Sequence, residues 1–350
     1  MRSEPLNAMV PDGHSIVEVE DLVKVYPAGR HSEPVRALDG VTFAVGRGEF
    51  FGFLGPNGAG KTTAIRILAT LARKTSGSAR VAGLDVDRDA AEVRRRIGLA
   101  MQTVALENLL TGRENLELIG RLHRVPAAEL RSRIAELLEL MNLTSAADRY
   151  AGTYSGGMRR RLDLATALVH EPSVLFLDEP TEGLDPQSRT ALWEELIRIN
   201  KAGTTMFLTT HYMEEADRLC GRLAIVDNGT IVVEGSPSDL KRSVGADAVE
   251  IALAHADGAE SLAAAQSGAS QRLSGVDGVV GVEASAVGIS VAVRSARSTV
   301  PALLRTLDGD GLHVTGLTMR EPTLDDVFLR YTGRRIRAEE ADRPLDLGWW

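Results

Sequence analysis

The sequence predicts an α/β protein that carries a small α+β domain at its C-terminal end. A short apolar strand, Phe50–Leu54, runs into a glycine-rich turn and then a helix from about Lys61 to Ala72, which is the βα unit of a parallel sheet. A fully apolar run, Val174–Leu177, is typical of a buried central strand. Near Pro237 the composition changes and the chain becomes rich in Ala, Gly, Ser and Val, which indicates a second domain.

Length and composition limit the classes to which the protein can belong. The chain has 350 residues, 44% hydrophobic and 25% charged, which is enough for two or three globular domains. Forty Lys and Arg against 48 Asp and Glu give a net charge of −8, which argues against nucleic-acid binding. The single cysteine, Cys220, excludes a disulfide framework and a cysteine-rich zinc site. We find no secretory signal and no apolar stretch near the ~20 residues that a spanning helix needs.

Hydrophobic patterning predicts further elements of the first domain. Alternation of apolar and polar residues over 16–26 predicts a half-buried strand, and a second strand is expected near 41–45. From about 112 to 150 the apolar residues recur at helical spacing. We interpret one such face as the core of a helical subdomain; it consists of Leu130, Ile134, Leu137, Leu138 and Met141.

Strands and helices also alternate further along this domain. Asp185 and Pro186 have the preferences of an N-cap and of a first helical position, so a helix is expected to begin there. Strands are expected at Thr204–Thr209 and Leu223–Val226, with a helix from about Met213 between them.

The last hundred residues predict a different architecture. Short alternating runs predict four strands: Val249–Leu253, Val279–Ala284, Ile289–Val293 and Leu312–Met319. Helical patterns near 258–266 and 299–307 lie between them, so the order β-α-β-β-α-β indicates a small α+β domain. Thr323 and Asp326 form a capping-box pattern at the start of a last helix. The expected organisation is a flexible N-terminus (1–15), a first domain (16–240) with its helical subdomain at about 105–165, an accessory domain (245–333) and a mobile tail (334–350).

A phosphate-binding pattern follows the strand Phe50–Leu54. The run Gly55-Pro-Asn-Gly-Ala-Gly-Lys-Thr62 fits the spacing G-x-x-x-x-G-K-[ST]. Its glycines let backbone N–H groups curl around a phosphate, and the following helix N-terminus adds the positive end of a dipole. Lys61 can reach the β- and γ-phosphates, and the Thr62 hydroxyl can ligate Mg²⁺. The predicted nucleotide-binding residues of this segment are Gly55, Pro56, Asn57, Gly58, Ala59, Gly60, Lys61, Thr62 and Thr63.

Two carboxylates end the apolar strand that begins at Val174. Asp178 lies where a Mg²⁺ ligand is needed, and Glu179 suits a general base for an attacking water. An ordinary strand end with solvated acids is the alternative, and the neighbouring phosphate loop favours the functional interpretation.

A second anion-binding surface is predicted where small residues open a helix. Tyr154-Ser-Gly-Gly-Met158 precedes the basic run Arg159–Arg161, and the N–H groups at such a helix start can bind an anion. We interpret the basic run itself as a solvated face of the helix.

Taken together, these motifs resemble the ATP-binding subunit of an ABC transporter over residues 16–236. The phosphate loop and five further features stand in that family's order and at about its spacing; these are Gln102, Ser155-Gly-Gly157, Asp178-Glu179, Gly183-Leu-Asp185 and His211. Tyr154–Arg161 and the segment Glu321–Leu329 further resemble drug exporters of the daunorubicin-resistance type. The resemblance implies a P-loop NTPase with a RecA-like core, an antiparallel β subdomain and a helical subdomain.

The resemblance also implies a site that two copies of the chain complete. Each ATP, with Mg²⁺, would lie between one phosphate loop and Ser155, Gly156 and Gly157 of the other copy, with Asp185 at the dimer seam. Tyr26 would stack on adenine, Gln102 would contact Mg²⁺ and the water, and His211 would contact the γ-phosphate. The implied catalytic residues are Glu179, His211, Gln102 and Lys61. The implied metal ligands are Thr62, Gln102 and Asp178.

Several of these residues keep a plain structural alternative. Tyr26 could be a strand-end aromatic residue, Gln102 a solvated loop residue and His211 a structural histidine. The sequence departs from the family's commonest pattern at Tyr154, Met158 and Glu182. Met158 cannot donate the side-chain hydrogen bonds of a glutamine. A carboxylate at Glu182 is unfavourable near a triphosphate unless it is paired, and we hypothesise a partner across the dimer.

The combined prediction is an ATP hydrolase that drives a separate transmembrane permease, as an exporter of drugs, antibiotics or lipid-like compounds. Its partners would be the permease and a second copy of this chain, without nucleic acid. It would contact the membrane only through the permease, at the cytoplasmic face of a bacterial cell membrane. Two alternatives are an import-system ATPase with a regulatory C-terminal domain and a soluble ABC-type ATPase that acts on DNA or ribosomes. The net acidity, the single cassette and the lack of a long coiled coil argue against the second alternative.

Overall fold

A computed structural model describes residues 15–27, 33–253, 259–285, 288–308 and 314–333. The predicted flexible N-terminus, apart from Ser15, and the predicted mobile tail lie outside these residues. The described residues divide into two compact units: the first is 15–237 together with 331–333, and the second is Ser238–Arg330. None of the helices in the described ranges has the length and apolar character required to cross a membrane.

The strands of the described residues, in chain order, are β1 (Ser15–Tyr26), β2 (Val35–Gly46), β3 (Phe50–Leu54), β4 (Ser76–Val81), β5 (Leu84–Asp85), β6 (Ile97–Ala100), β7 (Val174–Asp178), β8 (Thr205–Thr210), β9 (Arg222–Asp227), β10 (Thr230–Gly235), β11 (Asp247–Leu253), β12 (Val279–Ser285), β13 (Gly288–Val293) and β14 (Val314–Arg320). The α-helices are α1 (Lys61–Leu68), α2 (Ala90–Arg96), α3 (Gly112–Leu122), α4 (Ala127–Leu140), α5 (Gly156–Leu168), α6 (Pro186–Lys201), α7 (Met213–Leu219), α8 (Pro237–Val244), α9 (Ala259–Leu273), α10 (Ala296–Asp308) and α11 (Leu324–Thr332).

The main sheet of the first unit places the predicted site at one edge. Its strand order is β10-β9-β3-β8-β7-β6, and every pair except β10–β9 is parallel. Strand β8 therefore lies between β3, which leads into the phosphate loop, and β7, which ends at Asp178. Because the carboxyl ends of parallel strands meet at the same edge of a sheet, the residues that follow these three strands converge there.

An aromatic cluster at the centre of this unit holds the site-bearing strands in register. Phe207 on β8 contacts Phe43, Phe51, Phe53 and Phe176 with ring centroids 5.6–5.7 Å apart. The four rings come from β2, β3 and β7, and all five are buried. Such offset and tilted contacts add specific geometry to a large buried apolar area.

A four-stranded antiparallel sheet in the order β2-β1-β4-β5 packs into the same core. The predicted strands at 16–26 and 41–45 are both present, and the second is longer than expected. Strand β4 has the sequence SGSARV, which lacks the branched and aromatic residues typical of strands. It owes its conformation to pairing with β1, so the local pattern did not predict it.

The predicted helices of this unit are present, with differences at their ends. Helix α1 ends at Leu68 rather than Ala72 because Thr70 takes a left-handed backbone with φ of 63°. The predicted apolar face of the helical subdomain lies buried on α4 and at its C-cap, Met141. Asp185 is the N-cap of α6: its side chain accepts a hydrogen bond from Ser188 N, and Pro186 is the first helical residue, as predicted.

The second unit has the predicted β-α-β-β-α-β order. Its four strands form an antiparallel sheet in the order β12-β13-β11-β14, which is a ferredoxin-like arrangement. The apolar side chains of β11 and β13 pack against residues of α9 and α10. Thr323 and Asp326 exchange hydrogen bonds at the start of α11, so the predicted capping box is confirmed.

Candidate functional site

The phosphate loop lies between β3 and α1, and two of its positions require glycine for steric reasons. Gly60 has a φ of 103°, and a Cβ at this position would collide with Ala37 O. A Cβ at Gly55 would likewise collide with Val226 O. Glycine is needed for the close approach at both positions and also for the backbone angle at Gly60, so the loop can expose its N–H groups as the sequence pattern predicts.

Lys61 is the first residue of α1, and its side chain turns back into the loop. The side chain is 4% exposed. Its Nζ donates to Gly55 O at 2.7 Å and to Pro56 O at 3.1 Å. It also lies 3.0 Å from Glu179 Oε1. The cation is therefore fixed inside the loop, where an anionic ligand would meet it.

Asp178, at the carboxyl end of β7, is fully buried, and one of its oxygens is free. Its Oδ1 accepts hydrogen bonds from Thr209 Oγ1 at 2.6 Å and Thr62 Oγ1 at 3.1 Å. Its Oδ2 is buried without a hydrogen-bond partner in the described structure. An orphaned carboxylate oxygen beside a threonine hydroxyl fits a Mg²⁺ ion, which typically takes one or two protein oxygens and draws its other ligands from phosphates and water.

Glu179 follows Asp178 in a strained backbone conformation. Its φ is 48°, which costs free energy for a residue other than glycine. His211, just after β8, lies with Nδ1 2.7 Å from Glu179 Oε2. Burial alone would raise the pKa of Glu179, but the hydrogen bond from His211 and the charge of Lys61 lower it to about 2. The carboxylate is thus an anion held between two cationic or hydrogen-bonding groups.

Gln102 and Glu182 contact each other, which the sequence did not suggest. Gln102 is exposed, and its Nε2 donates to Glu182 Oε2. Glu182 therefore has a partner within its own chain, and the partner across the dimer that we hypothesised stays a prediction. The structure does not bring Gln102 into hydrogen-bonding contact with Thr62 or Asp178, so its place among the metal ligands stays a prediction.

The predicted second anion surface lies at the start of α5. Ser155 is the N-cap, and its Oγ accepts a hydrogen bond from Met158 N at 3.3 Å. Ser155 and Gly156 are exposed. Tyr154 is buried instead, and its hydroxyl donates to Ala146 O at 2.6 Å, so this departure from the family pattern has a local structural role.

Tyr26 lies at the end of β1, where an adenine platform was predicted. Its ring is half-buried, and Lys24 Nζ lies 4.8 Å from the ring centroid. Asn57 and Gly58 are exposed at the tip of the phosphate loop, and Ala59 is buried beneath it. The ring is available for stacking, but its role stays a prediction.

The expectation that Arg159–Arg161 is a solvated face was wrong for Arg160. This side chain is 4% exposed. Its Nε donates to Pro180 O at 2.7 Å, Nη2 to Asp178 O at 3.3 Å, and Nη1 pairs with Asp163 at 3.3 Å. Burial raises the pKa of Asp163 to about 6 against the opposing charge of Arg160. Both residues share an inward face of α5 with Leu164 and Ala167, and that helical spacing was the signal that could have revealed them.

A second buried polar group near the site was also missed. Glu215 on α7 is fully buried and accepts hydrogen bonds from Thr181 Oγ1 at 2.8 Å and Trp193 Nε1 at 3.0 Å. Thr181 lies two residues after Glu179, so Glu215 fixes the chain that leaves β7. Glu214 and Glu215 stand side by side in this short helix, and the sequence gives no pattern that predicts the contact of Glu215 with Thr181.

Two protein-family models match the chain. Residues 38–182 match the model described as "ABC transporter", and residues 235–332 match "ATP-binding protein DrrA1-3-like, C-terminal domain". The first match spans the phosphate loop, the start of α5 and the two carboxylates at the end of β7. The second spans the whole of the ferredoxin-like unit.

The chain is similar to whole proteins of known type as well. It is 46% identical over 306 residues to the daunorubicin resistance ATP-binding protein DrrA2 of Streptomyces coeruleorubidus, covering 87% of this chain and 93% of that protein. It is 38% identical to the Nod factor export ATP-binding protein I of Ralstonia nicotianae, with 92% and 95% covered. The solved dimer of the ATP-binding cassette MJ0796 with ADP and Pi is 29% identical, with a TM-score of 0.57 over 63% of this chain and 98% of that one. The predicted fold class is confirmed by this likeness.

Proposed function

This chain belongs to the ATP-binding subunits of ABC transporters and is an ATP hydrolase of the export type, and we propose that two copies of it drive a separate transmembrane permease. The observation that carries the proposal is the cluster of Lys61, Glu179 and His211 at the carboxyl edge of the parallel sheet. These three groups lie beside a loop built to bind phosphate. Relatives named for drug resistance and for Nod factor export support a hydrophobic or lipid-like substrate class.

ATP binds with its triphosphate along the loop from Gly55 to Thr63. The backbone N–H groups of the loop and the N-terminus of α1 attract the phosphate charge. Lys61 Nζ, now shared by two loop carbonyls and Glu179, turns its donors to the β- and γ-phosphates. Tyr26 offers its ring face to the adenine base.

The residues around Asp178 are suited to hold Mg²⁺ with the nucleotide. Thr62 Oγ1 and the free Oδ2 of Asp178 are the oxygens in place for it, and Gln102 is a further candidate on an exposed loop. Thr209 orients the Asp178 carboxylate through its 2.6 Å hydrogen bond. When bound, the ion neutralises charge that develops on the phosphates.

Hydrolysis is a displacement at the γ-phosphorus. A water oxygen forms the new P–O bond, the bond to the β–γ bridging oxygen breaks, and its electron pair leaves with ADP. Glu179 accepts a hydrogen bond from the water and aligns it. The carboxylate orients the water, and the water proton passes to the released phosphate. His211 and Lys61 stabilise the γ-phosphate charge.

A second copy supplies the remaining contacts. The start of α5 is exposed and presents the N–H groups of a 13-residue helix. Ser155, Gly156 and Gly157 of the partner subunit then cap the γ-phosphate across the interface. Asp185, exposed at the N-cap of α6, lies at the seam between the two copies. The dimer of the relative MJ0796 supports this arrangement.

The proposed dimer of this chain acts at the membrane through its permease. We place it at the cytoplasmic face of the cell membrane as a peripheral subunit. Substrate selection then belongs to the permease, while this chain supplies the ATP-driven closure of the dimer.

The test begins with affinity purification of the full chain from membranes of its native host. We expect a hydrophobic multi-span chain to co-purify, and the reconstituted complex to move daunorubicin across vesicles with Mg²⁺-ATP but not with a Lys61→Ala subunit. Co-purification with ribosomes or DNA, without a hydrophobic chain, would contradict the proposal. Co-purification with a solute-binding lipoprotein would overturn export in favour of import.

A further inference from the structure

Arg160 and Asp163 form a buried ion pair one turn apart on α5, behind the proposed catalytic residues. Their exposures are 4% and 5%, and Arg160 Nη1 lies 3.3 Å from Asp163 Oδ2. Burying two charges is costly, and apolar residues of similar volume are often no less stable at such a place. Packing alone therefore does not account for the pair.

The guanidinium of Arg160 holds the chain on both sides of the catalytic glutamate. It donates to Asp178 O at 3.3 Å and to Pro180 O at 2.7 Å, the carbonyls that flank Glu179. Glu179 itself has the strained φ of 48°. A strained residue persists where its surroundings fix it, and here the planar fork of an arginine does so from one side.

The same pair holds both ends of the loop that carries Gln102. Arg160 Nη1 donates to Met101 O, directly before Gln102. Asp163 Oδ1 accepts from Ala105 N at 3.3 Å, three residues after it. The short loop 102–104 is therefore clamped between two side chains of one helix.

The helix that carries these contacts is also the one whose N-terminus is offered to the partner subunit's ATP. Arg160 and Asp163 lie in the middle of α5, which begins at Gly156 after its N-cap, Ser155. A displacement of the helix start would be transmitted along α5 to three backbone carbonyls and one amide around the site. None of these contacts reaches the phosphate loop.

We propose that the Arg160–Asp163 pair is a positioning device that couples the start of α5 to Glu179 and to the Gln102 loop. This proposal rests on the proposed function, because it requires the start of α5 to bind the ATP held by the partner subunit. When the start of α5 contacts the partner subunit's nucleotide, Glu179 and Gln102 are held in position for catalysis. When this contact is absent, the carboxylate that orients the water is no longer held in position. Arg160 is a positioning residue, since it acts through the backbone of its neighbours and touches no substrate.

The first test compares Arg160→Lys with Arg133→Lys. A lysine keeps the charge beside Asp163 but cannot span three carbonyls as the arginine fork does. Arg133 is a matched control because it donates to Leu168 O at the opposite end of the same helix, at 3.2 Å. In Arg160→Lys we expect kcat to fall about 30- to 100-fold while the Kd for fluorescent ATP stays within about threefold, since misplaced catalytic groups lose rate. Arg133→Lys should change neither value.

A purely structural role of Arg160 predicts a different pattern of changes in kcat, the Kd for ATP and Tm. It would lower ATP affinity and Tm together in Arg160→Lys, with kcat reduced only by the fraction unfolded. A second variant, Arg160→Met with Asp163→Leu, removes both charges; the positioning account expects a folded protein that binds ATP and has lost turnover. If this double variant turns over at the wild-type rate, the proposal is wrong.

Hydrogen exchange of the nucleotide-free full chain gives a readout that does not require ATPase activity. In Arg160→Lys we expect the Ala105 amide to exchange at least about tenfold faster, with the amides of α4 unchanged. Wild-type protein without any ATPase activity would overturn the proposed function. Active wild-type protein with normal kcat and unchanged Ala105 exchange in Arg160→Lys would overturn the coupling alone.

Discussion

Glu179 Oε1 lies 3.0 Å from Lys61 Nζ, so the residue proposed to orient water is paired with the residue proposed to bind the γ-phosphate. His211 holds the other carboxylate oxygen at 2.7 Å. In the proposed mechanism, the arriving phosphate takes Lys61 away from Glu179. The proposed exchange would free one oxygen of the Glu179 carboxylate for water only when nucleotide is present.

Lys61→Ala should weaken nucleotide binding by about 10- to 100-fold, because a charge-assisted hydrogen bond is worth about 1.5–3 kcal/mol. Titration with a fluorescent ATP analogue measures the change. Lys74→Ala removes a lysine whose partner is Asp87, outside the site, and should bind as the wild type does. Equal affinities for the two variants would exclude Lys61 from the phosphate site.

His211→Ala should lower kcat by about 10²- to 10³-fold and leave the Kd for ATP within a few-fold. The imidazole contacts Glu179 in the structure and the γ-phosphate in the proposed mechanism, so its loss affects mainly the transition state. Steady-state phosphate release gives kcat, and His123→Gln is the control. A His211→Ala enzyme that loses ATP binding but retains kcat would argue for a ground-state role.

Asp178→Asn should raise the Mg²⁺ concentration for half-maximal ATPase activity by at least about tenfold. The substitution keeps the shape and one acceptor for Thr209 but removes the negative charge at the orphaned oxygen that fits the cation. Binding of ATP in EDTA should change little. An unaltered Mg²⁺ dependence would place the metal ligands elsewhere.

Stability should fall as the pH is lowered from about 6.5 to about 4, in part because of His170. Burial and the charge of His123, stacked with ring centroids 3.7 Å apart, lower the pKa of His170 to about 4, while its Nε2 lies 2.8 Å from Ile97 O. The unfolded chain, with a histidine pKa of about 6.5, then binds more protons in this window, so protonation favours unfolding. The loss is about 1–3 kcal/mol after allowance for partial exposure.

Denaturant unfolding at a series of pH values measures this effect. His170→Gln keeps a donor near Ile97 O and has no titrating ring. Between pH 6.5 and pH 4, its free energy of unfolding should therefore fall by about 1–3 kcal/mol less than that of the wild type. If the free energy of unfolding of the variant falls as much as that of the wild type over this pH range, the loss of stability belongs to other groups.

The parts of the site that require fixed spacing could be predicted from the sequence. The phosphate loop needs glycine at Gly55 and Gly60 for steric reasons, and the carboxylates at Asp178 and Glu179 follow a strand that is buried over its whole length. The cap at Asp185 is likewise a local preference. These features depend on a few neighbouring residues, so their patterns can be recognised in the sequence without knowledge of the fold.

Contacts that depend on tertiary packing could not be predicted in the same way. Arg160 stands within a basic run that is typical of a solvated face. Its helical spacing with Leu164 and Ala167 places it on the inward face of α5, but its partners at Met101 O and Asp178 O are set by the packing of α5 against β6 and the end of β7. Glu182 finds Gln102 across 80 positions of sequence. Strand β4 is formed by pairing with β1 rather than by its own propensity.

The most direct test of the account is a single-turnover measurement of phosphate release by Glu179→Gln with Mg²⁺-ATP, with Glu194→Gln on the exposed face of α6 as control. The account predicts that Glu179→Gln binds ATP with a Kd within a few-fold of the wild type, forms a stable ATP-bound dimer by light scattering, and releases phosphate about 10²- to 10⁴-fold more slowly. Glu194→Gln should match the wild type in all three respects. Phosphate release by Glu179→Gln at the wild-type rate would contradict the central claim that this carboxylate orients the attacking water.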